Sequence, residues 1–462
     1  MLKKVKQLDQ LFYPSSIAMI GASRDEGKGG GRFLKGLMDS GFKGRLYPVN
    51  PNEPEIMGLK CYRSVLDIPG DADLAIVTVP ARIVPQVIAE CSEKGVRFAV
   101  VHSAGFSEVG TEGKRLEGEM LQSLRRGRTR IIGPNCMGIY SHKAHINTIT
   151  RRTVFEDDTG PVAFIGQSGW VTQSVMSEGY ERGLRFSKIV SIGNQSDLGI
   201  EDLLEYFAGD SDIRVIALYI EGVKRGREFL HLARQISKEK PIIVWKAGRT
   251  RAGVAAAASH TGSLAGSNVV FDAALTQSGI ARARNLEELI DLTVGFTCPV
   301  LPLGNKVGLL VEAGGEAVAG ADAAEEMGLE MPQFSTETQA ELTSKLKGLI
   351  PPSSSPRNPV DLIWPTLDTR AQLFRECSQI MLKEVDAMVI EIAIVDDNFV
   401  KEVISWRNET RKPILIVPEH PEQLKSAMNL LTMSGIPNFT IPDRAMKVLS
   451  AMVRYSNYRR QG

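Results

Sequence analysis

The stretch Phe164-Ile-Gly-Gln-Ser-Gly169 decides the fold. It contains the end of an apolar run that begins at Pro161 and the glycine-rich bend that follows it. A strand, such a bend and a helix in succession make a βα unit, and free N–H groups at the start of that helix attract anions. The same device recurs in Met19-Ile-Gly-Ala-Ser23 and in Leu310-Val-Glu-Ala-Gly-Gly315. One such turn is required by any βα unit, whereas three of them indicate that the chain binds an anion.

Strand-like and helix-like stretches alternate along the whole chain. Apolar, β-branched runs begin near residues 17, 74, 98 and 130, then 161, 187, 215 and 242, and finally 306, 387 and 413. Helix-like stretches separate them, such as Val84 to Lys94 and Glu112 to Arg125. This order predicts parallel sheets with right-handed crossovers. We predict an α/β protein of three doubly wound domains, 1–150, 151–303 and 304–462, with a linker at Cys298–Asn305.

The bulk composition is that of an ordinary globular protein. The chain has 462 residues, of which 43% are hydrophobic and 24% charged, and its formal net charge is +1. That charge gives no reason to expect nucleic acid or a membrane surface as partner. The five cysteines are scattered and form no CxxC pair, which favours reduced thiols in the cytoplasm. The spacing of Cys136, His142 and His145 fits no standard zinc site, so we predict no metal centre.

His260 is the most conspicuous candidate for chemistry. It lies in a run of small residues, from Lys246 to Gly266, that follows the apolar stretch Pro241-Ile-Ile-Val-Trp-Lys246. An imidazole titrates near neutral pH, and here it is the only group in the run that does. A single histidine is usually structural, but a loop of Gly, Ala and Ser lacks the apolar face that surrounds a core histidine.

The first glycine turn, Gly21-Ala-Ser-Arg-Asp-Glu-Gly-Lys-Gly-Gly-Gly31, is not a clean G-x-G-x-x-G. No acidic residue ends the following strand at Leu46 to Asn52, although a dinucleotide site would use one for the ribose. The basic residues Arg24, Lys28 and Arg32 suit several phosphates instead. A flexible loop without function remains the alternative.

Ten short motifs then identify a family. They are Ile20-Gly-Ala-Ser23, Tyr47-Pro-Val-Asn-Pro-Asn52, Gly58-Leu-Lys-Cys-Tyr62, Val79-Pro-Ala81, Ser103-Ala-Gly-Phe-Ser-Glu108, Ile132-Gly-Pro-Asn-Cys-Met-Gly-Ile139, Gln167-Ser-Gly169, Ser259-His-Thr-Gly-Ser263, Asn358-Pro-Val-Asp-Leu362 and Ile441-Pro-Asp-Arg-Ala445. With these motifs the chain resembles the NDP-forming acyl-CoA synthetase superfamily, specifically the α subunit of ADP-forming acetyl-CoA synthetase. It is similar, more distantly, to the α subunit of succinyl-CoA synthetase.

The resemblance implies a CoA-binding Rossmann-like domain followed by two flavodoxin-like ligase domains. In that family acyl-CoA and phosphate give acyl phosphate, a histidine takes the phosphoryl group, and an ATP-grasp module passes it to ADP. His260 then corresponds to the phosphoryl carrier, and Glu221 to the acidic residue at its second ring nitrogen. Phosphate contacts are expected from the second glycine turn, formed by Gly166, Gln167, Ser168 and Gly169. Trp170 stands where smaller residues are usual in the family, and it would narrow this pocket or touch the acyl group.

The resemblance also places CoA on the first domain. Phosphate contacts are expected from Gly21, Ala22, Ser23 and Lys28; adenine and pantetheine contacts from Val79, Pro80 and Ala81; and contacts near the thiol from Ser103, Ala104, Gly105, Phe106 and, beside the carbonyl, Asn135. No ATP-grasp region is recognisable, so we expect a separate β subunit, in an α2β2 assembly, that carries ADP or ATP with Mg2+.

Several points stay open at this stage. A non-catalytic CoA- or acyl-CoA-binding regulatory protein of the same fold is the main alternative, and an NAD(P)-linked enzyme is disfavoured by the missing acidic residue. The sequence does not specify which acyl group, derived from a small carboxylic acid, is the substrate. It also does not specify whether the nucleotide is ADP or GDP, or which direction of the reaction is physiological. The third glycine turn, Ala313-Gly-Gly-Glu-Ala317, lacks a further glycine that the family commonly has, which leaves its role undecided.

Overall fold

The computed structural model describes residues 8–124, 127–149, 159–250, 252–253, 268–349, 355–393, 395–419 and 424–461. The chain forms two compact units. Unit 1 consists of Met1–Ser177 and Arg185–Leu286, and unit 2 of Glu178–Leu184 and Glu287–Gly462.

The first sheet of unit 1 has five strands in the order β2-β1-β5-β6-β7, and all neighbouring pairs are parallel. Its strands are β1 Ser16–Ile20, β2 Arg45–Val49, β5 Leu74–Val77, β6 Phe98–Val101 and β7 Arg130–Ile132, and a small hairpin is formed by β3 Glu55–Ile56 and β4 Leu59–Lys60. The accompanying helices are α1 Asp9–Phe12, α2 Gly29–Asp39, α3 Val84–Lys94 and α4 Thr111–Leu124.

The second sheet of unit 1 has seven strands in the order β14-β13-β12-β10-β11-β8-β9. Its strands are β8 Gly138–Ser141, β9 Ile146–Asn147, β10 Val162–Gly166, β11 Phe186–Ser191, β12 Val215–Ile220, β13 Ile242–Lys246 and β14 Ala281–Ala283. Strands β10 to β14 run parallel, whereas β8 and β9 pair antiparallel at one edge. The helices are α5 Gly169–Glu181, whose last four residues belong to unit 2, α6 Ile200–Gly209, α7 Gly226–Ile236 and α8 Asn268–Gln277.

Unit 2 is built around a four-stranded parallel sheet in the order β16-β15-β17-β18. Its strands are β15 Val307–Val311, β16 Val360–Asp361, β17 Ala387–Ile392 and β18 Ile414–Pro418. Its helices are α9 Leu286–Phe296, whose first residue still belongs to unit 1, α10 Gly314–Glu326, α11 Thr336–Leu346, α12 Leu367–Met381, α13 Asp397–Thr410, α14 Lys425–Met433 and α15 Pro442–Gln461.

The central strands are buried along their entire length, as expected for parallel sheets covered on both faces. One cluster of buried apolar side chains runs through both sheets of unit 1, and unit 2 has a cluster of its own. The predicted strands and the helix Val84–Lys94 are confirmed. Strands β8 and β9 precede residue 150 yet belong to the second sheet, and the three-domain division remains a prediction. Within the described ranges, no helix has the length and apolarity needed to cross a bilayer.

Candidate active site

The residues expected to bind CoA lie on four turns at one edge of the first sheet. These turns follow β1, β5, β6 and β7, and parallel strands bring their carboxyl ends to the same edge. Hydrogen bonds connect the turns in sequence: Thr78 N donates to Ile20 O at 2.9 Å, Ser103 Oγ donates to Val79 O, and Asn135 N donates to Ser103 O at 2.9 Å. The edge therefore forms one continuous rim, as the rule for ligand sites in parallel sheets requires.

The rim begins at the first glycine turn. Gly21 has a φ of +84°, and helix α2 starts at Gly29, directly after Lys28. A Cβ on Gly30 would lie 1.9 Å from Gly21 O, so glycine is needed for the helix to approach the strand end this closely. The exposed side chain of Lys28 precedes the first N–H groups of α2, which have no acceptor inside the helix.

Two residues expected at the CoA site have side chains that are not accessible to a ligand. The side chains of Phe106 and Ala22 are fully buried in the apolar core. A ring packed among core residues has no surface to offer a ligand, so the side chain of Phe106 is excluded from the thiol-end contacts. The backbone N–H groups of Gly105 and Phe106 are also in use, since both donate to Glu108 Oε1 at 2.6 and 3.1 Å.

Glu108 belongs to a polar link between the two sheets of unit 1. Its Oε2 accepts a hydrogen bond from Asn194 Nδ2 at 2.6 Å, and Asn135 Nδ2 donates to Asn194 Oδ1 at 3.4 Å. Burial opposes the charge of Glu108, but the hydrogen bonds that it accepts from Asn194, Gly105 and Phe106 hold its pKa below the ordinary value. The Ser103–Glu108 turn of the first sheet is thereby fixed to the loop after β11.

His102, which directly follows β6, is not among the residues that the sequence motifs indicate. Its Nδ1 lies 2.6 Å from Cys136 O and must therefore carry the proton, which leaves Nε2 as the acceptor in the neutral ring. Nε2 faces the start of α2, within 3.8 Å of the position that a Cβ on Gly29 would take. Burial, reinforced by the charge of Arg32, lowers the pKa of His102. A histidine at a strand end was the signal that could have identified it.

The second glycine turn lies at the carboxyl edge of the second sheet, where β10 ends at Gly166 and α5 begins at Gly169. Ser168 Oγ accepts the N–H of Val171 at 3.4 Å, so it caps the helix. The N–H groups of Gly169 and Trp170 precede any acceptor within the helix and can meet a ligand. The Trp170 side chain is 71% exposed at this first turn.

Gln167 differs from its neighbours, because its hydrogen-bonding groups are largely occupied. Its backbone N–H donates to Tyr219 O at 3.2 Å. Its side-chain amide bonds to the backbone of Glu221 and Gly222, at the end of β12. Gly166 is buried at the end of β10 and its carbonyl accepts the N–H of Ile192 at 2.8 Å, so Ser168 and Gly169 remain as the members of the turn with groups available to phosphate.

Glu221 is half-buried at the end of β12, beside this turn. Tyr219 donates its hydroxyl to Glu221 Oε1 at 3.3 Å, and Lys246 Nζ donates to Glu221 O at 2.8 Å. Burial and the neighbouring carboxylate raise the pKa of Tyr219, while burial lowers that of Lys246 against the attraction of Glu221. The sequence analysis missed Lys246 as a site residue, although a lysine that ends an apolar strand was a usable signal.

His260 lies outside the described residues, as does the rest of 254–267. The described residues on either side locate both ends of that segment. Lys246 ends β13, α8 begins at Asn268, and Asn268 Nδ2 donates to Gly248 O at 3.1 Å and to Arg249 O at 2.9 Å. Because β13 pairs with β12, both ends of the segment lie beside the strand that leads into Glu221.

The fold, the rim of the first sheet and the glycine turn of the second sheet indicate a class of protein with a CoA-type first domain and a ligase-type second domain. A family model described as "CoA binding domain" matches residues 15–142. A model described as "Succinyl-CoA ligase like flavodoxin domain" matches residues 159–296.

Individual relatives narrow the class. The chain is 38% identical to the α subunit of acetate–CoA ligase (ADP-forming) II of Pyrococcus furiosus, over 97% of both chains. It is 38% identical to acetate–CoA ligase (ADP-forming) of Methanocaldococcus jannaschii over 97% of its own length, but it spans only 63% of that relative. A solved structure of acetyl-coenzyme A synthetase 1 of Candidatus Korarchaeum cryptofilum, in complex with phosphate and ADP, superposes with a TM-score of 0.87 at 35% identity and covers 98% of this chain and 97% of that one. The chain belongs to the family of ADP-forming acetate–CoA ligases.

Proposed function

We propose that this chain is the α subunit of an ADP-forming acyl-CoA synthetase. With a partner it converts acyl-CoA, phosphate and ADP into a carboxylic acid, CoA and ATP, or runs the reverse reaction. The observation that carries the proposal is the end-to-end similarity to an α subunit, with 97% of both chains aligned. More than a third of the length of the Methanocaldococcus relative has no counterpart in this chain.

In the first step, the rim of the first sheet holds acyl-CoA. Gly21, Ser23 and Lys28 contact its phosphates, with the backbone of Ala22, and Val79, Pro80 and Ala81 lie along adenine and pantetheine. The Ser103 turn, with Ala104, lies near the thiol. A phosphate oxygen attacks the thioester carbonyl, the C–S bond breaks, and acyl phosphate and CoA form. Asn135 Nδ2 is a donor for the developing oxyanion.

In the second step, a ring nitrogen of His260 attacks the phosphorus of acyl phosphate, and the carboxylate leaves with the electrons of the P–O bond. Glu221 accepts the N–H of the other ring nitrogen, which orients the ring and stabilises its positive charge. The N–H groups of Gly169 and Trp170, with Ser168 Oγ, meet the equatorial phosphoryl oxygens. A small carboxylic acid is released and phosphohistidine remains.

In the third step, an ATP-grasp β subunit transfers the phosphoryl group from His260 to ADP, with Mg2+ bound on that subunit. We propose an α2β2 assembly. All five cysteines are buried and stand outside any disulfide, which supports a reducing, cytoplasmic compartment.

The test uses the chain alone. A panel of acyl-CoA thioesters with 32P-phosphate, without nucleotide, is expected to give acid-labile, base-stable label on His260 and one equivalent of free CoA. Adding the ATP-grasp chain and ADP should move the label to ATP. CoA binding by calorimetry without label from any thioester would instead favour the non-catalytic CoA-binding protein.

A further inference from the structure

The Gln167 side chain makes three hydrogen bonds to two consecutive residues of another strand end. Its Oε1 accepts the N–H groups of Glu221 and, at 2.9 Å, of Gly222, and its Nε2 donates to Gly222 O at 3.0 Å. Two donors face one atom of the amide and an acceptor faces the other, so the network fixes the orientation of the amide group. An amide that joins two strand ends in this way acts as a bridge.

Two further hydrogen bonds fix the backbone carbonyl and the side chain of Glu221. Lys246 Nζ holds its carbonyl at 2.8 Å, and the Tyr219 hydroxyl holds Oε1 at 3.3 Å. Both of these partners are themselves 8% exposed, so neither is free to move away. Within the described part of the chain, these bonds leave Glu221 Oε2 as the carboxylate oxygen for a further donor.

We infer that Gln167 is a positioning residue that holds Glu221 for the histidine, and does not itself bind phosphate. The inference rests on the proposed function, in which Glu221 accepts the imidazole N–H. Gln167 thus couples the two halves of the site: the turn that receives the phosphoryl group also fixes the carboxylate that orients its nucleophile.

The chemistry of this bridge requires an amide. In Gln167→Glu the Nε2 donor becomes an oxygen that faces Gly222 O, and that contact turns repulsive. In Gln167→Met the shape is kept while all three bonds are lost. A displacement of the order of 1 Å in a positioning group costs about 100-fold in rate, so we expect each variant to slow phosphorylation of His260 by about 10- to 100-fold.

A kinetic split distinguishes positioning from binding. Single-turnover labelling of His260 with acyl-CoA and 32P-phosphate should show a lower maximal rate in Gln167→Met and Gln167→Glu, with the KM for phosphate within about twofold of wild type. A tenfold rise in that KM at an unchanged maximal rate would overturn the inference. Gln235→Met, an exposed site on α7, is the matched control.

A double-mutant cycle tests whether Gln167 acts through Glu221. If it does, Gln167→Met added to Glu221→Gln slows the reaction little beyond Glu221→Gln alone. If the two losses multiply, Gln167 acts independently and the inference fails. Thermal unfolding of each variant separates these outcomes from loss of the fold.

One readout needs no activity. Hydrogen exchange of the amides of Glu221 and Gly222 should accelerate at least tenfold in Gln167→Met, because their acceptor is removed. Unchanged exchange would overturn the inference even in an active enzyme. Failure of the wild-type chain to take up label, with accelerated exchange in the variant, would overturn the proposed function and leave the bridge itself in place.

Discussion

Two glycine turns of this chain share a backbone design and differ in charge. Gly166–Gly169 in unit 1 and Glu312–Gly315 in unit 2 each follow a fully buried central strand and each open a helix of 13 residues. Ser168 and Ala313 hold the same place, one residue before the helix. The side chains around the two turns, however, are of opposite character.

The turn in unit 1 itself carries neutral side chains. Ser168 caps the helix, and the Gln167 amide forms its hydrogen bonds with the neighbouring strand end. The nearby Glu221 is accompanied by a cation, because Lys246 Nζ donates to the Glu221 carbonyl. The positive end of the helix is therefore left to an incoming anion.

The turn in unit 2 already faces carboxylates. Glu312 and Glu391 are each 1% exposed, and Glu391 Oε2 accepts the N–H of Glu312 at 2.8 Å. Arg370 Nε lies 2.9 Å from Glu312 Oε1, and Glu419 adds further negative charge. Burial is the main cause that raises the pKa of both Glu312 and Glu391 to about 7. A glycine turn before a helix is thus a shared scaffold, and its neighbouring side chains decide whether it attracts an anion.

The largest expected effect comes from removing the nucleophile beside the unit 1 turn. His260→Ala should lose acyl-CoA-dependent labelling by at least about 1,000-fold, because no other group in the mechanism can accept the phosphoryl group. CoA affinity, measured by calorimetry, should stay within about twofold. Label that persists in this variant would mean that another residue accepts the phosphoryl group. The turn in unit 1 could then not be distinguished from the turn in unit 2 by its function.

Glu221→Gln should have the second-largest effect and slow labelling of His260 by about 100-fold. The amide keeps the shape of the side chain but removes the charge that stabilises the imidazolium. Rapid-quench labelling measures the rate, with exposed Glu239→Gln as the matched control. A rate within threefold of wild type would mean that another acceptor orients the histidine.

The strands and the positions of both turns could be predicted from the sequence, because apolar β-branched runs and glycine bends are local signals. The resemblance to the family is what assigns Gly21, Val79 and Ser103 to one site, and the parallel strands bring their turns to a common edge. The burial of Phe106 could not be predicted, since it depends on how the loop after β6 packs.

Contacts set by strand register were also beyond prediction. The bridge from Gln167 to Glu221 exists because Gly166 pairs with Tyr219 across β10 and β12. The approach of Glu312 to Glu391 follows from the pairing of Leu310 with Ile390. Both pairs are far apart in the chain, so no local pattern encodes them. His260, outside the described residues, is still known from its motif alone.

Introducing an aspartate at the same place in each turn compares the two turns directly. Ser168→Asp should raise the KM for phosphate about tenfold or more, because a carboxylate at this position opposes the anion while still capping the helix. Ala313→Asp, at the equivalent place in unit 2, should leave that KM within about twofold. Equal effects of the two substitutions on the KM would show that both turns meet phosphate.

The smallest effect is on stability and belongs to unit 2. A carboxyl whose pKa rises on folding, from an ordinary 4.5 to about 7 for Glu391, binds protons more tightly in the folded state. Its contribution to the free energy of unfolding is therefore lost as pH rises from 4.5 to about 7, and is constant above that. A glutamine side chain at this position cannot ionise, yet its carbonyl can still accept the N–H of Glu312.

Glu391→Gln should therefore be more stable than wild type by about 3 kcal/mol at pH 8 and nearly equal to it at pH 4.5. Urea unfolding followed by fluorescence of buried Trp406, in unit 2, measures the difference, and Glu325→Gln on the exposed side of α10 is the control. The groups around Glu391 (Glu312, Glu316, Glu419 and Arg370) remain, and the acidic ones among them keep part of the pH dependence. A variant whose stability follows pH as steeply as wild type would mean that Glu391 is ionised throughout. The turn in unit 2 would then face a fully charged Glu391 carboxylate. The difference in charge between the two turns would be larger than it is with Glu391 protonated.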